Sequence, residues 1–434
     1  MTLNPEFRRQ LYLELSPGRL LSIPAVLGTL FSLSYFLDGY RFGTATAKAS
    51  LTLCLLSLLL WGARQTMDSI IEEYRENTWD TQRLSALSAW ALTWGKLLGS
   101  TLMVWYSALL CLIMHALASD NLMGLPTLMF YIVVVGLLVQ SGSLLLGLLA
   151  AQRGHLKSNS VFVMAILILL LFWPWLNHIV GLTEPMSVYT SSPPQLWYQL
   201  KVDQQSFQQI SLILALSWCN LANQRLMMQS LGMRSSPWVW LAFNLFLTFY
   251  LGGLFPEHTY ALTLAGFVIC GTLTYIGLFV ETFDTVRLSR LLNHWLEGRW
   301  RRGLEALPLW CPSFLLTLPA ALALSLTAKP IEQSFTELLH FYPLAIVMLI
   351  LRDCLIYLYF SYSDRPERAL NRTLMAFVLL YGVIPGLFSL AGQGGWSAFI
   401  FPLMAKSAIT AFILALGQNS LLIYGLYQRW RQFQ

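Results

Sequence analysis

One apolar stretch follows another along almost the whole of this 434-residue chain. A helix rises about 1.5 Å per residue, so about 20 residues cross the roughly 30 Å of a bilayer's hydrocarbon. Stretches of that order lie near residues 18–38, 49–66, 94–117, 126–151, 159–181, 207–223, 237–255, 260–281, 306–328, 340–361, 373–392 and 401–427. Within hydrocarbon every backbone N–H and C=O needs a partner inside the protein, and a helix supplies those partners segment by segment. The expectation is an all-α polytopic membrane protein with about twelve transmembrane helices. Composition excludes a soluble globule: 11% of residues are charged, against roughly 25% in soluble domains. The 16 Trp suit rings placed at two membrane interfaces. The first stretch follows an Arg-containing segment and ends at no small-residue cleavage site, so it reads as a retained span. The six Cys fall in apolar stretches without metal spacing and read as packed thiols.

Positive charge orients the spans. With the N-terminus inside, 21 of the 27 Lys and Arg fall in cytoplasmic segments. Outer segments hold Arg41, Lys48, Lys201 and Lys329, while Arg352 and Lys406 lie within spans. One missed span would reverse every later loop, so this split supports an even number of spans with both termini cytoplasmic. The expected location is a plasma (bacterial inner) membrane. The net charge of +6 is then a topology signal that requires no nucleic-acid partner.

The chain reads as duplicated, with halves at 1–232 and 233–434. Gln65-Thr66-Met67-Asp68-Ser69-Ile70 resembles Glu281-Thr282-Phe283-Asp284-Thr285-Val286, and at the same offset Trp79 matches Trp295 and Arg83 matches Arg299. Tyr131 and Arg153 answer Tyr342 and Arg365. Six spans per half give two halves of parallel topology.

The long charged segment after the second span of each half, 67–92 and 282–305, carries most of the functional information. In the first, Ile71, Tyr74, Arg75, Thr78 and Trp79 recur at helical spacing with no Gly or Pro between them. The second span therefore continues into the cytoplasm. A short amphipathic helix then lies along the membrane before Trp90 and Trp94 re-enter it. Such a helix can take up a cytoplasmic partner's motion and pass it to the spans it joins.

These residues resemble the cytoplasmic segment of ABC-2-type transporter permeases. In that family an acidic-basic-acidic cluster precedes Gly-Thr-Leu-Glu, a Leu-rich stretch with Pro and Ser, and a closing Gly-Lys. Here Glu73-Tyr74-Arg75-Glu76 supplies the cluster, and Asn77-Thr78-Trp79-Asp80 occupies the Gly-Thr-Leu-Glu slot. Leu84, Ala86, Leu87 and Ser88 fill the middle, with Ala86 where Pro is usual, and Gly95-Lys96 closes the run. Residues Asn4 to Leu15 resemble the family's amphipathic elbow helix. The second half departs: Thr282 to Gly303 lacks the acidic cluster and the Gly-Lys closure and is basic. The resemblance implies a type V exporter-like transmembrane domain. It also implies separate ABC ATP-binding subunits that hold ATP and Mg and dock on the coupling helices. No Gly-x-x-x-x-Gly-Lys-Ser/Thr occurs in this chain. No catalytic residue, metal ligand or cofactor of its own is expected. The candidate docking residues are Glu73, Arg75, Glu76, Thr78, Asp80 and Arg83, with Arg287, Arg290, Trp295 and Arg299 as a second site.

Arg352 and Asp353 lie near the middle of the tenth stretch, where a charge costs about 3 kcal/mol and so faces a partner or a cavity. Neighbours on a helix point about 100° apart, so the two need not pair. Gln140 matches Arg352 in the repeat. These three line a translocation path or join helices across the bundle. A twelve-span secondary transporter and a non-transporting anchor subunit of an ABC-like complex are the alternatives. The first calls for several midspan acids where only Asp353 is found; the divergent second half favours the other.

Overall fold

The computed structural model describes residues 4–85, 87–119, 124–154, 194–233, 237–255, 258–281, 290–291, 293–295, 297–326, 342–362, 368–392, 394–405 and 407–432. The expected span 159–181, the repeat residues 282–286, Ala86 and Arg287 lie outside these, as do Lys157, His178, Arg234, Lys329, Arg365 and Lys406. Among the described residues seven helices are long and apolar enough to cross a membrane, and up to nine if two bent pairs each form one span. The chain is thus an all-α, multi-pass membrane protein by the length and apolarity of its helices.

The chain divides into two units, Met1–Gln195 with Val202–Ser235, and Leu196–Lys201 with Ser236–Gln434. In the first, α1 (Pro5–Glu14) opens on Asn4, whose side chain accepts from the Glu6 N–H, with Pro at the first turn. This is a common start signal, because the cap meets an orphan donor and Pro lacks one. Helix α2 (Pro17–Leu37) follows. Helix α3 (Thr44–Arg75) runs for 32 residues through a π-helical turn at Ser57–Trp61. At about 1.5 Å per residue it is roughly 48 Å long, well beyond the hydrocarbon core. Next come the short α4 (Trp79–Leu84) and the pair α5 (Ala89–Gly99) and α6 (Leu102–Ala118), bent by 46°. Helices α7 (Leu125–Gln152) and α8 (Gln204–Ser230) complete the unit. Leu55, Leu58, Val104, Cys111, Ile132, Val135 and Leu212 interlock α3, α6, α7 and α8 in its core. Helix α8 covers the expected stretch 207–223 but is less apolar, since it buries Asn220 and Asn223 against Ser141 of α7.

The second unit contains α9 (Trp238–Gly252), α10 (His258–Val280), α11 (Trp300–Ala306) and α12 (Trp310–Leu326). These are followed by α13 (Pro343–Ser361), α14 (Ala369–Leu390) and α15 (Ala408–Gln432). Helices α11 and α12 meet at 97°. Helix α14 carries a π-helical turn at Leu379–Val383. Two short turns, Gly394–Ser397 and Pro402–Met404, separate α14 from α15. The core packs Leu278, Ile350, Cys354 and Tyr357 in one cluster and Phe267, Ala321, Leu324 and Val347 in another.

Candidate functional site: a buried ionic cluster and a charged surface segment

Glu73 lies near the end of α3 and is turned inward, not toward solvent. Lys96 of α5 donates to Glu73 Oε2 at 2.6 Å and lies 3.3 Å from Glu6 Oε1 of α1. Lys96 is fully buried and Glu6 is 2% exposed. Arg9 donates to both Glu6 oxygens at 2.9 and 2.8 Å and also to Glu73. Gln10 adds a bond to Glu6 Oε1 at 3.1 Å, and Gln82 adds one to Glu73 Oε1 at 3.3 Å. Two carboxylates therefore face two cations, and the remaining lone pairs have amide donors. A buried charge needs that degree of satisfaction to be tolerated. Burial pushes the Glu6 carboxyl up, but the Arg9 hydrogen bond and the Lys96 charge outweigh it and leave it lowered to about 2.

The cluster joins three segments far apart in sequence because two glycines let α1 lie directly on α5. A Cβ on Gly95 would stand 2.7 Å from the Glu6 side chain, and one on Gly99 2.6 Å from Gln10. Asn4 Nδ2 donates to the Ala91 carbonyl at 2.6 Å and seals the same contact. The Gly95-Lys96 pair thus supplies both clearance and the central cation.

Between α3 and α4 the chain turns through Asn77 at φ 57°. Gly and Asn tolerate this left-handed conformation at a helix end, and Asn77 stands where the resembled family carries Gly. Past the turn, Trp79 packs inward, stacked on Tyr74 at 4.9 Å with Lys96 5.9 Å from its ring. Its exposure is 4%, so it is a core residue and not an outward anchor. Arg75, Glu76, Asp80 and Arg83 remain on the surface. Arg75 lies 3.9 Å from Glu72 and Arg83 3.5 Å from Asp80. Such exposed pairs add at most about 1 kcal/mol each. The Thr78 hydroxyl donates to the Glu73 carbonyl at 3.3 Å and fastens the turn. The structure therefore separates the first set of candidates: Glu73 is buried and holds the segment, while Arg75, Glu76, Thr78, Asp80 and Arg83 are exposed, Thr78 bonding back to the Glu73 carbonyl. Glu6, Arg9 and Lys96 belong to the inner set. Their participation had no sequence signal beyond the Gly-Lys spacing and the Arg-containing elbow helix.

In the second unit Arg290, Trp295 and Arg299 are exposed. Arg299 meets Glu297 at 3.2 Å.

The intramembrane charges of this unit do pair. Arg352 Nε and Nη2 both donate to Asp353 Oδ1 at 3.2 Å, because the long guanidinium arm curls back over the 100° separation. Tyr275 and Tyr381 hydroxyls donate to Asp353 Oδ2 at 2.7 and 2.6 Å. The guanidinium lies 4.9 Å over the Tyr381 ring. Arg352 Nη1 reaches the Ile400 carbonyl at 2.9 Å and Gln418 Oε1 at 3.0 Å. Arg352 and Gln418 sit nine and ten residues into α13 and α15, about 14 Å along each. The segment between α14 and α15 thus dips back among the helices. Its Phe399, Ile400 and Ala405 carbonyls accept from the side chains of Gln418, Arg352 and Tyr342, the kind of satisfaction irregular backbone among membrane helices requires. In the first unit, Gln140 is fully buried and its Oε1 accepts from Trp105 Nε1 at 3.1 Å.

No protein-family model, curated protein or solved structure matches this chain.

Proposed function

We propose that this chain is the membrane permease subunit of an ATP-driven (ABC) transporter of the ABC-2 type, with twelve spans, working as an exporter. ATP-binding subunits encoded separately, which hold ATP and Mg, dock on the face formed by Arg75, Glu76, Asp80 and Arg83. The observation that carries this reading is the anchoring of that face. It sits at the end of a 32-residue helix longer than a bilayer needs. It is also fixed to α1 and α5 by a buried ionic cluster, so a push on it moves three elements together. A merely solvated loop needs no such fixture. In this reading both termini are cytoplasmic and the membrane is the plasma membrane.

The test is affinity purification of the tagged protein in mild detergent, with mass spectrometry of bound proteins and an ATPase assay. Wild type is compared with a variant combining Arg75→Glu, Glu76→Lys, Asp80→Lys and Arg83→Glu. A bound nucleotide-binding subunit that the variant loses supports the reading. Purification without any such subunit or ATPase activity overturns it in favour of a secondary transporter or a non-transporting anchor.

A further inference from the structure

The basic segment of the second unit, whose Arg290, Trp295 and Arg299 the sequence offered as a second docking site, joins exposed arginines to exposed indoles. Between 290 and 306 the surface presents Arg290, Arg299, Arg301 and Arg302 against Glu297 and Glu305. Among the described residues Glu297 pairs with Arg299, and Arg290, Arg301 and Arg302 form no ion pair. A shallow, open groove on the surface is lined by Gly298, Arg299, Trp300, Arg301 and Arg302. Trp300, which lines it, and Trp295 are 64% and 42% exposed, with ring centroids 5.8 Å apart. Trp295 is held in place from behind: a Cβ on Gly303 would stand 2.2 Å from its indole.

The direction of α11 says what faces this groove. It meets α12 at 97°. If α12 crosses the bilayer, α11 lies in the plane of its surface. Exposed Trp rings and exposed Arg side chains, of which Arg301 and Arg302 form no ion pair among the described residues, then share one interface. Trp settles at the level of lipid headgroups, where its ring is half in hydrocarbon and its N–H is wet. Arg offers a planar fork of donors that matches phosphate oxygens two at a time. An acidic protein surface could neutralise the arginines, but it would leave two large indoles exposed beside the membrane.

We propose that the groove at Gly298–Arg302 binds the phosphate headgroup of an anionic phospholipid, with Arg299, Arg301 and Arg302 on the phosphate and Trp295 and Trp300 at the acyl boundary. The proposal needs α12 to span the bilayer and needs no ATPase partner, so it stands or falls separately from the coupling reading.

The test uses the purified, delipidated full chain in neutral detergent. It is titrated with short-chain phosphatidylglycerol, short-chain phosphatidylcholine or inorganic phosphate. Bound lipid is counted by native mass spectrometry, and thermal stability is followed in parallel. Wild type should retain phosphatidylglycerol over phosphatidylcholine and respond weakly to inorganic phosphate. An Arg299→Gln, Arg301→Gln, Arg302→Gln variant should bind phosphatidylglycerol on the order of 100-fold more weakly, roughly fivefold per arginine. Its melting temperature without lipid should stay that of wild type, since all three side chains are exposed. A Trp300→Ser variant should lose part of the lipid affinity while its response to phosphate is unchanged. Equal binding of phosphatidylglycerol by wild type and the triple variant overturns the proposal. An equally strong response to inorganic phosphate overturns the lipid as ligand, leaving a free-anion site. A protein that copurifies only with wild type, with lipid binding equal in both, assigns the face to an acidic partner instead.

Discussion

Lys96 and Glu73 meet at 2.6 Å, 23 residues apart in sequence, with the Lys96 side chain wholly out of solvent. Removing one partner of a buried pair leaves the other charged and uncompensated, typically at about 3–5 kcal/mol. Lys96→Met leaves Glu6 and Glu73 sharing Arg9 alone and should lower stability by about 3 kcal/mol. Arg75→Ala, on an exposed pair, should change it by less than about 1 kcal/mol. Thermal unfolding in detergent, followed by retention of the monodisperse peak, compares the two. Equal effects would show that the cluster does not hold the fold.

The seat of α1 on α5 depends on missing side chains. Gly99→Ala forces a Cβ to within 2.6 Å of Gln10, an overpacking that should cost about 1–3 kcal/mol. Gly142, on α7, has nothing within 4 Å of an added Cβ. Gly142→Ala should therefore be neutral or slightly stabilising through helix propensity. Labelling of a cysteine placed at Phe7 reports α1 directly and should speed up only in the Gly99 variant.

Glu6 gives the cluster an acid-side signature. Its folded-state pKa lies below its ordinary value of 4.5, at about 2. The ionised form is therefore the one favoured by folding, and its full contribution is present above pH 4.5. That contribution, about 3 kcal/mol, fades as pH falls from about 4.5 toward about 2. Glu6→Gln should be less stable than wild type at pH 7, and the gap should narrow progressively below pH 4.5. A gap that stays constant from pH 7 to pH 3 contradicts the ionised assignment.

The Arg352 node should behave as a unit. Tyr275→Phe and Tyr381→Phe each remove one hydrogen bond to a carboxylate and should cost about 1.5–3 kcal/mol. Arg352→Met should cost more, about 3–5 kcal/mol, because Asp353 is left buried without its cation. The pair Arg352→Met with Asp353→Leu should recover much of that loss. A double variant as damaged as the sum of its parts would show that the two residues act independently.

At the turn after α3, Asn77→Gly should be nearly neutral, and Asn77→Val should cost about 1–2 kcal/mol for a bulky residue forced into the left-handed region. Melting curves of the two variants decide it.

Much of this was legible from residue order alone. The helices Pro17–Leu37, Leu125–Gln152 and Pro343–Ser361 lie close to apolar stretches read from the chain, because crossing hydrocarbon is a demand on length and composition that neighbours cannot relax. The continuation of α3 beyond the membrane followed from unbroken helical spacing through Tyr74. The pairing of Arg352 with Asp353 did not follow, since helical phase describes where a Cβ points and not where a long guanidinium arm ends.

Sequence by itself determined that this chain is a multi-pass helical membrane protein and where its charged segments fall, since hydropathy and charge act locally along the chain. Only the tertiary structure decided which charges face out. Glu73 and Arg75 are two residues apart and look alike as docking candidates. One is buried because Gly95 and Gly99 admit α1 beside it, bringing Glu6 and Arg9 to Lys96. The other stays on the surface. That choice depends on contacts between segments up to about ninety residues apart, whose free energy exists only once the helices have packed.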